Sequence, residues 1–106
     1  MRFTQSSQRL AYVSDTTSHC IHSFNIDSKS HSVVAGSSVF PQAGYRDGIS
    51  ASMVQFSTPM GIAFLEDTSA HSQVLLIADS GNHRIRALDT ATGITTTWFE
   101  SKVWFI

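Results

Sequence analysis

Two stretches hold the side chains best suited to chemistry: Asp15-Thr16-Thr17-Ser18-His19-Cys20-Ile21-His22 and Asp79-Ser80-Gly81-Asn82-His83-Arg84-Ile85-Arg86. Imidazole and thiolate ligate metals, carboxylates move protons, and guanidinium groups grip anions. His22 lies three residues after His19, and along a strand that odd spacing points the two rings to opposite faces, so no shared metal is expected. Cys20 has no flanking metal-ligand spacing. A short Asp at a strand end accepts hydrogen bonds from the N–H groups of the turn that follows, and Gly and Asn tolerate positive φ there. Asp15, Asp79, Gly81 and Asn82 are therefore read as turn formers, and loss of the Asp79 carboxylate should cost about 1–2 kcal/mol. His19 and His83 occupy matching turn positions, which implies one repeated structural role. Arg84 and Arg86 share a strand face with Leu88, where they pair with Asp or Glu or, together with Arg46, contact an anion. No Gly-x-Ser-x-Gly and no phosphate-cradling loop before a helix occurs. The sequence thus assigns no catalytic, cofactor or metal residue, and no enzyme is expected.

The elements that must position these residues read as strands. Apolar runs are short, rich in β-branched and aromatic types, and separated by Ser, Thr, Gly, Asn and Asp clusters about every ten residues. The expected strands are Leu10 to Ser14, Cys20 to Ile26, Ser32 to Ala35, Gly61 to Leu65, Val74 to Ala78, Arg84 to Leu88 and Thr95 to Phe99. Val74-Leu75-Leu76-Ile77-Ala78 is apolar on both faces and must be covered on both. Sliding the chain by 64 positions places Val13 on Ile77, Asp15 on Asp79, His19 on His83, Ile21 on Ile85 and Phe24 on Leu88. Each copy reads strand, Asp, polar turn, His, strand, an internal repeat. Between the copies, Gly36 to Thr58 carries Pro41, Gly44, Asp47 and Gly48 and reads as a long connection and the main variable surface.

The 106 residues, 42 % hydrophobic and 14 % charged, suit a globular domain. A net charge of -1 supplies no basic field for polyanions. One cysteine excludes an intrachain disulfide, and no run approaches a membrane span. With no apolar signal-peptide core near Met1, the expectation is an intracellular, cytoplasmic protein with no membrane contact.

The second stretch, Leu76 to Asp89 with Thr90-Ala91-Thr92-Gly93 and the Thr-rich strand to Trp98, closely resembles the NHL repeat. Gly44-Tyr45-Arg46-Asp47-Gly48 and Phe56-Ser57-Thr58-Pro59-Met60-Gly61-Ile62-Ala63 resemble that family's Asp-Gly loop and its Pro-x-Gly-Ile lead into a blade. The first copy departs from the pattern, with Thr17 at the place of Gly81, Ser18 at Asn82, Cys20 at Arg84 and His22 at Arg86. The resemblance implies an all-β fold of β-propeller blades, each a four-stranded antiparallel meander, in an incomplete propeller. The expected division is residues 1–37 as a partial degenerate blade, 38–58 as inter-blade loop, 59–100 as a blade and 101–106 as tail. The end at Lys102-Val103-Trp104-Phe105-Ile106 has no polar cap, which suggests truncation of a longer protein.

The resemblance implies an interaction scaffold whose loops, Gly36 to Thr58 above all, select a protein partner. It also reaches peptide-amidating lyases, whose propellers hold zinc with channel histidines, so a fragment of a lyase or hydrolase is the alternative. His19 and His83 match the turn and not a channel position, and the zinc is not carried over. Tripartite-motif relatives bind RNA through a basic face; Arg46, Arg84 and Arg86 are too few for one, which leaves RNA a third alternative. Fewer than three repeats cannot bury their own faces, so self-association or blades supplied by another chain are expected.

Overall fold

The computed structural model describes residues 9–36, 43–67 and 72–100. The expected tail 101–106, with Trp104 and Phe105, lies outside these, as do residues 1–8 and, within the connection, 37–42 with Pro41. All seven expected strands are present, with ends displaced by at most two residues. β1 (Leu10–Asp15), β2 (Cys20–Asn25) and β3 (His31–Ala35) form one antiparallel sheet. β4 (Pro59–Asp67), β5 (Ser72–Asp79), β6 (Arg84–Asp89) and β7 (Thr95–Glu100) form a second, in the order β4-β5-β6-β7. The expected meander from Gly61 to Phe99 is thus found, and neither sheet closes on itself.

The 64-residue repeat holds at the level of single residue pairs. Asp15 pairs with Cys20 as Asp79 pairs with Arg84, and Val13 with His22 as Ile77 with Arg86. Both sheets carry a register shift at equivalent points, Ile21/His22 and Ile85/Arg86. The outer turns match too: Asn25 Oδ1 accepts the N–H groups of Asp27 and Ser28, and Asp89 Oδ1 those of Ala91 and Thr92. Lys29, at φ 64°, stands where Gly93 stands at 82°.

The two sheets meet along β1 and β4. Thr16 Oγ1 donates to the Pro59 carbonyl at 2.8 Å, Ser14 Oγ to that of Met60 at 2.5 Å, and Tyr12 meets Phe64 edge to face. Ile21 and Ala35 from the first sheet and Leu75, Ile77 and Leu88 from the second belong to one core. Val54 and Phe56, 1 % and 0 % exposed, complete it. Those last two residues correct the reading of 38–58 as a surface connection. A 3-10 turn at Ala51–Met53 and bridges Arg46–Gln55 and Gly48–Thr95 order its second half, because two apolar side chains there fill the core beside β5 and β6.

The inner turns also correct one expectation. Positive φ falls on His19 (58°) and His83 (55°), and not on Gly81 or Asn82; histidine is among the residues that enter the left-handed region most readily. Gly81 is needed for a different reason. Its N–H donates to the Ser57 carbonyl at 2.8 Å, and a Cβ there would stand 2.7 Å from that oxygen and 2.8 Å from Ser57 Cβ. Gly81→Ala should therefore cost about 1–3 kcal/mol by overpacking, read as a lower urea midpoint; an unchanged midpoint would show that Ser57 moves freely.

Candidate functional site

Asp79 and Arg86 lie on adjacent strands of one sheet face, and both are 0 % exposed. Arg86 uses all five of its N–H groups. Nη1 donates to Asp79 Oδ2 at 2.7 Å and to the Gln55 carbonyl at 2.8 Å. Nη2 donates to the Arg46 carbonyl at 2.7 Å and to Asp47 Oδ1 at 2.9 Å, which Nε also reaches at 3.2 Å. The guanidinium lies against the Phe56 and Tyr45 rings, 4.9 and 5.0 Å from their centroids. A planar fork of this kind ties two carboxylates and two carbonyls at once, which an ammonium group cannot do.

The carboxylate of Asp79 is equally occupied. Oδ1 accepts the Ser57 N–H at 2.7 Å, and Oδ2 accepts Asn82 Nδ2 at 2.7 Å besides Arg86. Asn82 Nδ2 also donates to the Gly44 carbonyl at 2.8 Å. Asp79 thus takes its backbone N–H from the segment before β4 and, from the turn that follows it, only the side-chain N–H of Asn82, where backbone N–H groups of the turn were expected. Asp15 behaves as expected, accepting the Ser18 N–H at 3.1 Å. The difference arises because Arg86 draws the connection onto the sheet and so presents Ser57 to Asp79.

The three expected contact arginines separate. Arg86 is enclosed and offers no contact surface. Arg84 is partly exposed, bound to Glu100 at 2.6 Å and the Asn82 carbonyl at 2.7 Å, and lies 4.1 Å over the Tyr45 ring. Arg46 is exposed and gives the network its backbone carbonyl. Of the histidines, His19 Nδ1 accepts the Thr58 N–H at 2.9 Å, which fastens the first turn to the start of the second sheet. His83 is half-buried at the end of the 3-10 turn Ser80–Asn82, its N–H on the Ser80 carbonyl.

Sequence reasoning missed a third grouping. Asp15 and Cys20 stand opposite each other across β1 and β2, and His22 follows on the same face. His22 Nε2 lies 3.1 Å from Asp15 Oδ2 and 3.4 Å from Cys20 Sγ. Among the described residues this is the group whose ligand atoms converge, all within 4.8 Å of one another. The available signal was the four-residue turn, which sets residue 15 across from residue 20, combined with the i, i+2 alternation of Cys20 and His22. The Ser18 N–H, and after it His22, hold the Asp15 carboxyl below the ordinary carboxylate range. Burial, and after it Asp15, pushes the Cys20 thiol up. Both Cys20 and Asp15 address the same ring nitrogen, so the three do not form a nucleophile–base–acid relay, and a raised thiol is a poor nucleophile.

No protein-family model matches the chain. No curated protein matches it. Among solved structures it is similar to an auxiliary nutrient binding protein from Bacteroides thetaiotaomicron, with a TM-score of 0.70 at 21 % identity over 91 % of this chain and 24 % of that one. It is also similar to an auxiliary nutrient binding protein from Bacteroides ovatus, with a TM-score of 0.67 at 19 % identity over 90 % of this chain and 24 % of that one. At such identities the likeness is one of fold. The chain spans about a quarter of the length of either neighbour.

Proposed function

We propose that the two sheets are successive blades of an NHL-type β-propeller that serves as a binding scaffold for a protein partner. The observation that carries this reading is the repetition of register, bulge and turns between the sheets, since a propeller is built by radial repetition of one sheet. The named role of two of the neighbours, nutrient binding, supports a binding role. Enclosure of Arg86 favours a protein partner over RNA, because it leaves Arg84 and Arg46 as the accessible cations of the motif.

The contact surface in this reading is the rim formed by residues 43–53. The Arg86 network holds its backbone, yet Ile49 stands 73 % exposed and Tyr45 44 % exposed. An apolar side chain on a rigid support suits partner contact. Ile49→Asp should weaken capture of partner proteins at least tenfold while leaving the melting temperature unchanged, as the side chain packs against little. Capture with wild-type and variant bait tests this. Equal retention by both, or no retained protein with either, would overturn the assignment.

A further inference from the structure

We propose that Asp15, Cys20 and His22 form a binding site for a divalent cation of the zinc type, with a fourth position open to water or another ligand. The inference stands apart from the scaffold reading, because all three donors lie on the β1–β2 hairpin and no partner protein is needed to complete the site.

The repeat supplies the first argument. Asp15, Cys20 and His22 occupy the places that Asp79, Arg84 and Arg86 hold in the second sheet. There a buried guanidinium neutralises the carboxylate. Here both arginines are replaced, one by a thiol and one by an imidazole, and each replacement is a metal ligand. A divalent cation restores the positive charge that the position carries in its sister blade.

Geometry supplies the second. Tetrahedral zinc, with bonds of about 2.3 Å to sulfur and about 2.0–2.1 Å to nitrogen and oxygen, sets S and N donors about 3.6 Å apart and N and O donors about 3.4 Å apart. The Sγ to Nε2 and Nε2 to Oδ2 distances are 3.4 and 3.1 Å, and all three donors lie within 4.8 Å of one another, so the thiolate and the carboxylate need to approach by at most about 1.2 Å on binding. Cys20 is 0 % exposed, and the His22 and Asp15 side chains are 15 % and 34 % exposed, so the cluster is held in place and still open to solvent on one side.

Hydrogen bonding accounts poorly for the same arrangement. A neutral imidazole nitrogen either donates or accepts, so Nε2 cannot serve the carboxylate as donor and the thiol as acceptor at once. A cation among the three atoms satisfies all of them, and the thiol proton leaves to solvent on binding. Mixed S, N and O donors favour zinc over calcium or magnesium, which take oxygen.

Cobalt(II) is the probe, added anaerobically to the reduced, chelator-treated full chain. One equivalent should produce a near-ultraviolet thiolate-to-cobalt charge-transfer band and the intense visible bands of four-coordinate cobalt, both abolished by one equivalent of zinc. Cys20→Ser should lose the charge-transfer band. His22→Arg should lose cobalt binding at least tenfold while keeping the fold, because it rebuilds the ion pair of the second sheet. Absence of the charge-transfer band in the wild-type chain overturns the proposal. So does a band that survives unchanged in His22→Arg, since that signal would come from the thiol without the site.

Discussion

Arg86→Ala is expected to remove about 3–5 kcal/mol of stability, the cost of breaking a buried ion pair by deleting one partner. Asp79, 0 % exposed, would keep its Ser57 and Asn82 bonds but lose the one charge that offsets its own. Asp47 would lose two donors and the Arg46 and Gln55 carbonyls one each, so the segment that delivers Val54 and Phe56 to the core would loosen. A domain's whole stability is about 5–15 kcal/mol, so the variant should be largely unfolded on mild heating. Arg86→Lys should recover only part, because three donors on a point charge replace five in a plane. Asp79→Ala belongs to the same class, well above the 1–2 kcal/mol expected of a turn former, because it leaves the guanidinium with Asp47 alone, half exposed on the outer side. Urea midpoints of the three variants check these values. An Arg86→Ala midpoint within about 1 kcal/mol of wild type would show that water replaces the network at little cost.

The strands were legible because local pattern dictates them. Val74 to Ala78 reads as a strand covered on both faces, and Leu75 and Ile77 prove buried while Val74, Leu76 and Ala78 are half-buried. The repeat was legible from Asp15/Asp79 and His19/His83, and its register follows from identical turn lengths. What was hidden depends on contacts far apart in sequence. Nothing near Arg86 announces that, besides Asp79, the partners of its fork lie 31 to 40 residues upstream in the connection, so pairing with an acidic residue was expected but full enclosure of the guanidinium was not. Val54 and Phe56 were hidden for the same reason, since isolated apolar residues among Ser, Met and Gln show no period. The convergence of Asp15 with Cys20 and His22 needed the hairpin register, because in sequence the three show no metal-ligand spacing.

The second large effect concerns the whole chain, which is expected to associate at low micromolar concentration. The face of the second sheet that bears Leu75, Ile77 and Leu88 is covered by residues 43–58 and the first sheet. By the repeat, the matching face of the first sheet bears Ala11, Val13 and Phe24. Val13 is 44 % exposed where Ile77 is 0 %. Trp98 and Phe99 stand 58 % and 48 % exposed on β7, an edge strand within the described residues. Leaving on the order of 400 Å2 of apolar surface uncovered forgoes about 10 kcal/mol at 25 cal/mol per Å2, as large as the stability of many domains. A further sheet stacked on the open face, from a second copy or from another chain, recovers that burial.

Sedimentation velocity over a tenfold range around low micromolar concentration, joined to thermal unfolding of the same samples, tests most directly whether these sheets are blades that require neighbours. The account predicts sedimentation coefficients that rise with concentration and unfolding that shifts with it, as mass action demands. A single monomeric species at every concentration, melting in one cooperative, concentration-independent transition, would show that two sheets suffice as a domain and would contradict the propeller reading.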